Sequence, residues 1–317
     1  MPATPARPRV LPSGRQYEIT AGPYAATVTG AGATIRTLGY LDGPLLDGFA
    51  AEDICDGAHG QLLAPWPNRV DGGRYTFDGR TNQLDLSEPA AGNAIHGLVR
   101  WDAWTLDSHT ADAVSLTHRL LPRPGYPHVL DLRLGYEVDA EDGLTVRLAV
   151  TNAGRRPAPW GAGQHLYVVP GRHGSVSGCT LRLPASYHLE TDDRGIPVAD
   201  RPVQGSPLDF NAAAPVGDAP LDHAYGGLRR DHDGRVRVRL GDPAGGTATL
   251  WLDDTYRWVQ VFTGHTLAPE RHFAALAIEP MTCPPNAFAT GRDLVTLAPG
   301  ESWTGAWGLS YEPQMCQ

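Results

Sequence analysis

Leu132-Arg133-Leu134-Gly135-Tyr136-Glu137-Val138, the turn Glu141-Asp142-Gly143, and then Leu144-Thr145-Val146-Arg147-Leu148-Ala149-Val150 form the stretch whose reading decides the fold. In both halves apolar side chains fall on every second residue, the period of a strand whose faces alternate. Asp-Gly between two such runs is hairpin chemistry. The pattern recurs outward in both directions. Tyr17-Glu18-Ile19-Thr20, Ala25-Ala26-Thr27-Val28, Arg74-Tyr75-Thr76-Phe77 and Val114-Ser115-Leu116-Thr117 are short alternating runs. Asp71-Gly72-Gly73 and Phe77-Asp78-Gly79 are turns between them. Long helical periodicity is nearly absent. Many short strands at this spacing predict an all-β sandwich or barrel. No linker, low-complexity block or fixed-period repeat divides the chain, so residues 1–317 read as one domain, with residues 1–15 a flexible N-terminal segment.

The chain of 317 residues is 41% hydrophobic and 19% charged, ordinary values for a soluble globular protein. Its net charge of −9 disfavours nucleic acid or an anionic membrane surface as partner. All 26 basic residues are Arg; with abundant Ala, Gly and Pro this reads as codon bias and weakens any inference from a single Arg. Four scattered cysteines (Cys55, Cys179, Cys283, Cys316) form no C-x-x-C pair and point to a reducing compartment. Met1–Gly14 lacks the apolar core of a signal peptide, and no run approaches the ~18 apolar residues of a membrane helix. A cytoplasmic location is expected.

Six clusters carry candidate chemistry. In His272–Asn286 an apolar strand holds Leu276 and Ile278 on one face and Ala275, Ala277 and Glu279 on the other. The alanines are expected to leave a hollow beside the carboxylate, and Pro280 to end the ladder. The alternative is a structural ion pair. In Gln61–Val70, prolines bracket Trp66 in a stiff loop that presents Asn68 and Arg69, a fork of donors suited to hydroxyl oxygens. Trp66 reads either as a sugar-stacking face or as a plug in the core. His96 stands beside Gly97, where a ligand can approach closely, or else caps a turn. A strand through Gly161, Gly163, His165, Tyr167 and Val169 places two glycines before a His and a Tyr, again a hollow with polar groups at its rim. Asp222 reads as a loop residue, and Trp258–His265 as a strand ending at Gly264. His59, His109, His118, His173 and His232 read as ordinary surface residues. No metal-ligand spacing, P-loop, dinucleotide fingerprint or nucleophile elbow occurs, so neither metal nor cofactor is expected.

Taken in order, Asn68-Arg69, Asn93-x-x-His96-Gly97, Val150-Thr151-Asn152 leading to His165-x-Tyr167, Leu221-Asp222-His223, Gln260-x-x-Thr263-Gly264 and Ile278-Glu279 resemble the aldose 1-epimerases, or galactose mutarotases. Ala185–Pro197, Pro207–Phe210 and Leu297–Glu301 add to the likeness, which spans residues 17–312. Ala64–Arg69 and Glu279–Asn286 are similar to a bacterial subgroup that includes sulfoquinovose mutarotases. The resemblance implies a large antiparallel β-sandwich with an open sugar-binding cleft and no cofactor. It assigns the general base to Glu279 and the general acid to His165, with Arg69, His96 and Asp222 holding the sugar. Gln164 stands where the better-known members have Asn, and Val168-Val169 where they have Phe-Asn; both departures bear on sugar specificity.

The chemistry so implied is interconversion of the α and β anomers of a free aldohexose such as glucose or galactose, with Glu279 ionised and His165 protonated. The partner is a small monosaccharide, and the chain a monomer or homodimer. Alternatives are a hexose-6-phosphate or sulfosugar 1-epimerase using Arg69 and Arg100 near C6, and a non-catalytic carbohydrate-binding β-sandwich. A polysaccharide hydrolase fits less well, since a His/Glu pair is not two carboxylates.

Overall fold

In the computed structural model, which describes residues 10–41, 43–169 and 174–313, the deciding hairpin forms as its pattern requires. Strands Leu130–Asp139 and Gly143–Asn152 pair with Leu134 opposite Leu148 and Tyr136 opposite Val146. Leu132, Leu134, Tyr136, Val146 and Leu148 are buried, while Arg133, Glu137 and Arg147 face solvent. Each fully buried Leu or Val side chain stabilises by about 1.5–3 kcal/mol, enough to fix the register, because a slip of one residue would turn the apolar set outward.

This hairpin lies within a nine-stranded sheet, in the order Thr105–His109, Ala113–Leu120, Leu130–Asp139, Gly143–Asn152, Ser302–Glu312, Thr247–Leu252, Val236–Gly241, Thr180–Arg182, Ala214–Pro215. A second sheet runs Pro197–Pro202, Tyr187–Thr191, Asp222–Gly226, Trp258–Phe262, Leu276–Met281, Gly163–Gln164, Leu62–Leu63, with Tyr167–Val168 also paired to Leu276–Met281. Among the described residues all pairings within these sheets are antiparallel. One continuous core takes Leu134 and Leu148 from the first sheet and Val259, Val261, Leu276 and Ile278 from the second. The architecture is an antiparallel β-sandwich, and among the described residues helix is limited to the short turns Pro269–Arg271 and Ala287–Thr290.

The structure corrects several expectations. Strand Leu276–Met281 runs through Pro280, which lies opposite Val259. On the other side the neighbouring strand is two residues long and meets it through Gly163 and Met281 alone, so few ladder donors are needed there. Asp222 opens a strand, opposite Phe262, and is not in a loop. The segment from Ala158 to Val168 is three short pieces and not one strand. It bends where the Leu166 N–H bonds back to the Gln164 carbonyl. Trp66 is the core plug, packed on Phe288 with ring centroids 5.3 Å apart. Residues 1–9, Pro170, His173 and Cys316 lie outside the described residues. Within the segment expected to be flexible, Ser13 Oγ donates to the Ala51 carbonyl at 2.6 Å and the Arg15 carbonyl accepts from Gly30 at 2.7 Å. No helix among the described residues is long and apolar enough to cross a membrane.

Candidate active site

Glu279 leaves strand Leu276–Met281 on the face opposite Leu276 and Ile278, whose side chains fill the core. It is 2% exposed, and its Oε1 lies 3.4 Å from Nε2 of His165, itself 5% exposed. The His165 backbone is tied on both sides: its N–H donates to the Gln61 carbonyl at 3.0 Å, and its carbonyl accepts from Gly60 at 2.8 Å. The two side chains sit in a cleft of about 300 Å³ that is also lined by Asn68, Arg69, His96, Tyr167, Asp222 and Gln260. All seven residues singled out from the sequence therefore converge on one cavity.

The hollows have a different origin from the one expected. Ala275 and Ala277 lie under Tyr167, Val169 and Phe262, so their small size makes room for aromatic rings and not for a ligand. Gly161 is packed against Cys283 Sγ, and Gly163 against Pro67, Pro280 and Met281. The loop carrying His96 and Gly97 forms one wall of the cleft. Both have positive φ, and Gly97 crosses the Ala64 backbone so closely that no side chain fits there. The turn swings the His96 ring to 5.3 Å from His165, edge to face.

Arg69 opens the short strand Arg69–Asp71, paired with Asn93–Ile95, instead of lying in a free loop. Its guanidinium is gripped by Glu88 through two hydrogen bonds of 2.9 and 2.8 Å. Asn93 donates to Glu88 at 3.3 Å and to the Arg194 carbonyl at 2.9 Å, and the Arg194 side chain returns a bond to Asn93 Oδ1 at 2.9 Å. Gln260, opposite Glu279 across the ladder, donates to Asp222 Oδ1 at 2.5 Å. Asn68 Oδ1 accepts from the Arg69 N–H at 2.9 Å. Gln164 points away from the cleft, donating to the Gly60 carbonyl at 2.7 Å and to Tyr136 Oη at 3.1 Å. Val168 lies in the main core. Neither Gln164 nor Val168 lines the cleft, so the departures noted at these positions act on the scaffold.

Electrostatics reverse one expectation. Burial, reinforced by the charge of Asp222, raises the Glu279 carboxyl well above the usual carboxylate range, against the pull of Arg69. Burial, then the charges of His59 and Arg100, pushes His165 down to about 3. An ionised Glu279 beside a protonated His165 is therefore not the resting form. The dry site favours the neutral pair, with one proton held between the two groups. His96 is likewise held well below its ordinary range by burial, and Asp222 is raised by burial against the charge of Arg69. Four buried atoms around the cleft have no hydrogen bond within the protein: Glu279 Oε2, His165 Nδ1, His96 Nδ1 and Gln260 Oε1. Each such atom costs about 1–3 kcal/mol when unsatisfied, so together they form a constellation suited to hydroxyl groups.

Sequence reasoning missed Glu88 and His59, and it placed Gln260 in a motif without giving it a role. His59 is not a surface residue: it is 2% exposed and stacked on Tyr167 at 3.9 Å. Its neighbours Gly57 and Gly60 are the same signal that marked His96. His118 is also largely covered, 3.1 Å from Asp102. Among the described residues no group of three or more His, Cys, Asp or Glu is arranged to hold a metal ion.

A family model described as Aldose 1-epimerase matches residues 15–310. The chain is 32% identical over 289 residues to the uncharacterized protein YihR of Escherichia coli K12, covering 91% of each. It is 24% identical over 291 residues to the aldose 1-epimerase of the same organism, covering 81% of this chain and 78% of that one. In fold it is similar to the GalM/aldose epimerase homologue from C. elegans, with a TM-score of 0.83, 19% identity, and coverage of 94% of this chain and 99% of that one.

Proposed function

The chain belongs to the aldose 1-epimerase family, and we propose that within it the protein interconverts the α and β anomers of a free aldohexose by acid–base ring opening and closure. The observation that carries this reading is the buried Glu279–His165 pair, 3.4 Å apart at the floor of the cleft, with unsatisfied atoms of both groups left for a ligand. At about 300 Å³ the cleft is at the small end of ligand sites, which suits one sugar ring.

In this mechanism Glu279 takes the proton of the anomeric hydroxyl as the C1–O5 bond breaks and the C1=O1 carbonyl forms. His165 delivers a proton to O5, which leaves as a hydroxyl. Rotation about C1–C2 presents the other face of the carbonyl, and closure reverses both transfers. The pair carries one proton throughout. Ring opening moves it, through the sugar, from imidazolium to carboxylate. The pair that accompanies the open sugar is the neutral one that burial favours, so the site offsets part of the cost of the aldehyde. Arg69, His96, Asn68 and Asp222 would hold the hydroxyls, and Tyr167 would wall the ring. The buried, unpaired thiols of Cys55, Cys179 and Cys283 fit a reducing compartment such as the cytoplasm.

Polarimetry of freshly dissolved α-D-glucose and α-D-galactose tests the reading. Wild type should speed relaxation, and Glu279→Gln and His165→Asn should each lower kcat by roughly 10²-fold or more. Wild-type relaxation at the buffer rate, or an unaffected Glu279→Gln variant, would overturn it.

One observation favours an anionic hexose as the physiological substrate. Arg100 lines the cleft beside Trp101, its guanidinium 5.2 Å from that ring. Among the described residues no hydrogen bond or ion pair holds this guanidinium. A cation left without a counter-charge suits a phosphate or sulfonate at C6. On that reading Arg100→Met lowers kcat/KM roughly tenfold or more for glucose-6-phosphate and sulfoquinovose but less than about threefold for glucose. Equal losses on all three sugars would leave the neutral hexose as the better assignment.

A further inference from the structure

His59 does not line the cleft, yet it is bound into the site. Its Nδ1 is 2.7 Å from the Asp56 carbonyl oxygen, and its Nε2 is 3.4 Å from Asp47 Oδ2. Asp47 is itself held by Arg271 Nη1 at 2.7 and 2.6 Å. The His59 ring stacks on Tyr167 with centroids 3.9 Å apart and planes 14° from parallel. Tyr167 stacks in turn on His165 at 4.8 Å and 18°. Two rings this close and this parallel cannot share one face, so Tyr167 is sandwiched between the histidines. The Tyr167 hydroxyl donates to the Gly57 carbonyl at 3.0 Å, and its carbonyl accepts from the Asp47 N–H at 2.9 Å. Asp47, His59, Tyr167 and His165 thus form one column reaching from the Asp47–Arg271 ion pair to the cleft.

We infer that His59, held by the Asp56 carbonyl and stacked on Tyr167 beside Asp47, is a positioning residue: through Tyr167 it fixes the plane of the His165 imidazole and sets the field in which His165 holds its proton. This rests on the reading of His165 as the acid of an epimerase. The groups facing His59 are Asp47 and Tyr167, with Asp56 and the Cys55 thiol on its own turn and Arg271 behind Asp47. Those facing His165 are Glu279, His96 and Tyr167, with Arg100 acting at longer range. The charge of His59 is among the causes that push His165 downward, which makes His165 a stronger acid. A packing role alone would require a ring at this position and nothing more.

The test uses the full chain and two variants. His59→Phe keeps a ring over Tyr167 but removes both nitrogens; His59→Ala removes the ring as well. In a ¹H–¹⁵N NMR titration of the sugar-free protein, the His165 resonances of His59→Phe should titrate at higher pH than in wild type. The acid limb of kcat/KM on fresh α-D-glucose should move in the same direction. His59→Ala should lower kcat roughly tenfold or more with KM changed much less, since small misplacements of a reacting group are costly. His165 titrating in His59→Phe where it does in wild type would overturn the inference, as would His59→Ala turning over at the wild-type rate with only its melting temperature lowered. A wild type that does not accelerate mutarotation would defeat the epimerase reading alone, and the NMR titration would still decide the role of His59.

Discussion

Glu279 and His165 form the smallest unit that explains the cleft, and their titration belongs to the pair. On the proposed mechanism, the working form carries one proton on the two groups together. On the acid side activity falls when a second proton binds, and His165, pushed down to about 3, sets that limb low. On the basic side activity falls when the pair loses its proton, and Glu279, raised by burial and by Asp222, sets that limb above the usual carboxylate range. The pH profile of kcat/KM should be bell-shaped. Asp222→Asn removes a charge that raises Glu279, so the basic limb should move to lower pH; a pH-rate series would contradict this by showing the limb fixed or moved upward. The position of Glu279 in the cleft was legible in the sequence because an acidic residue at the end of an apolar strand is a local signal. The reversal of the expected protonation was not, because it depends on burial, and burial of this pair is contributed by segments as distant in sequence as His96 and Asp222.

At the level of elements, what the sequence revealed was whatever period 2 controls. Leu130–Asp139 and Gly143–Asn152 were readable because one buried face imposes its alternation on every residue. The broken segment from Ala158 to Val168 was not, because its bend answers to partners elsewhere: the Leu166 carbonyl accepts from Ile278, and the Gly161 N–H reaches the Pro65 carbonyl. The clasp over Arg69 was equally hidden. Arg194 bonds the Ala91 carbonyl at 2.8 Å and Asp71 at 2.8 Å, which draws the turn from Asp192 to Gly195 onto the cleft wall. Gly195, at φ 73°, rests against the Arg69 guanidinium, and a β-carbon there would collide with it. Gly195→Ala should therefore displace Arg69 from Glu88, raising KM several-fold while kcat moves less, at a stability cost of about 1 kcal/mol. Steady-state kinetics beside a thermal melt would check this; an unchanged KM would show that the clasp does not position Arg69.

For the molecule as a whole, the site is assembled across the chain, from Arg69 to Glu279, on a sheet whose partner is closed by its last strand. Ser302–Glu312 is the fifth of nine strands, inserted between Gly143–Asn152 and Thr247–Leu252, and it buries Trp307 and Leu309 in the core. A chain ending at residue 301 should lack native near-ultraviolet circular dichroism and resist proteolysis no better than an unfolded polypeptide, and addition of a peptide covering 302–313 should restore part of both. A truncated chain that was native on its own would show the central strand to be dispensable. The same topology constrains biosynthesis. While the ribosome is still adding residues, the hairpin made first and the strands made much later wait with open edges on either side of an empty slot, the kind of surface that pairs with neighbouring chains. Completion of the sandwich therefore waits until Ser302–Glu312 has left the ribosome, and until then the nascent chain is open to chaperones, to proteases and to its own copies.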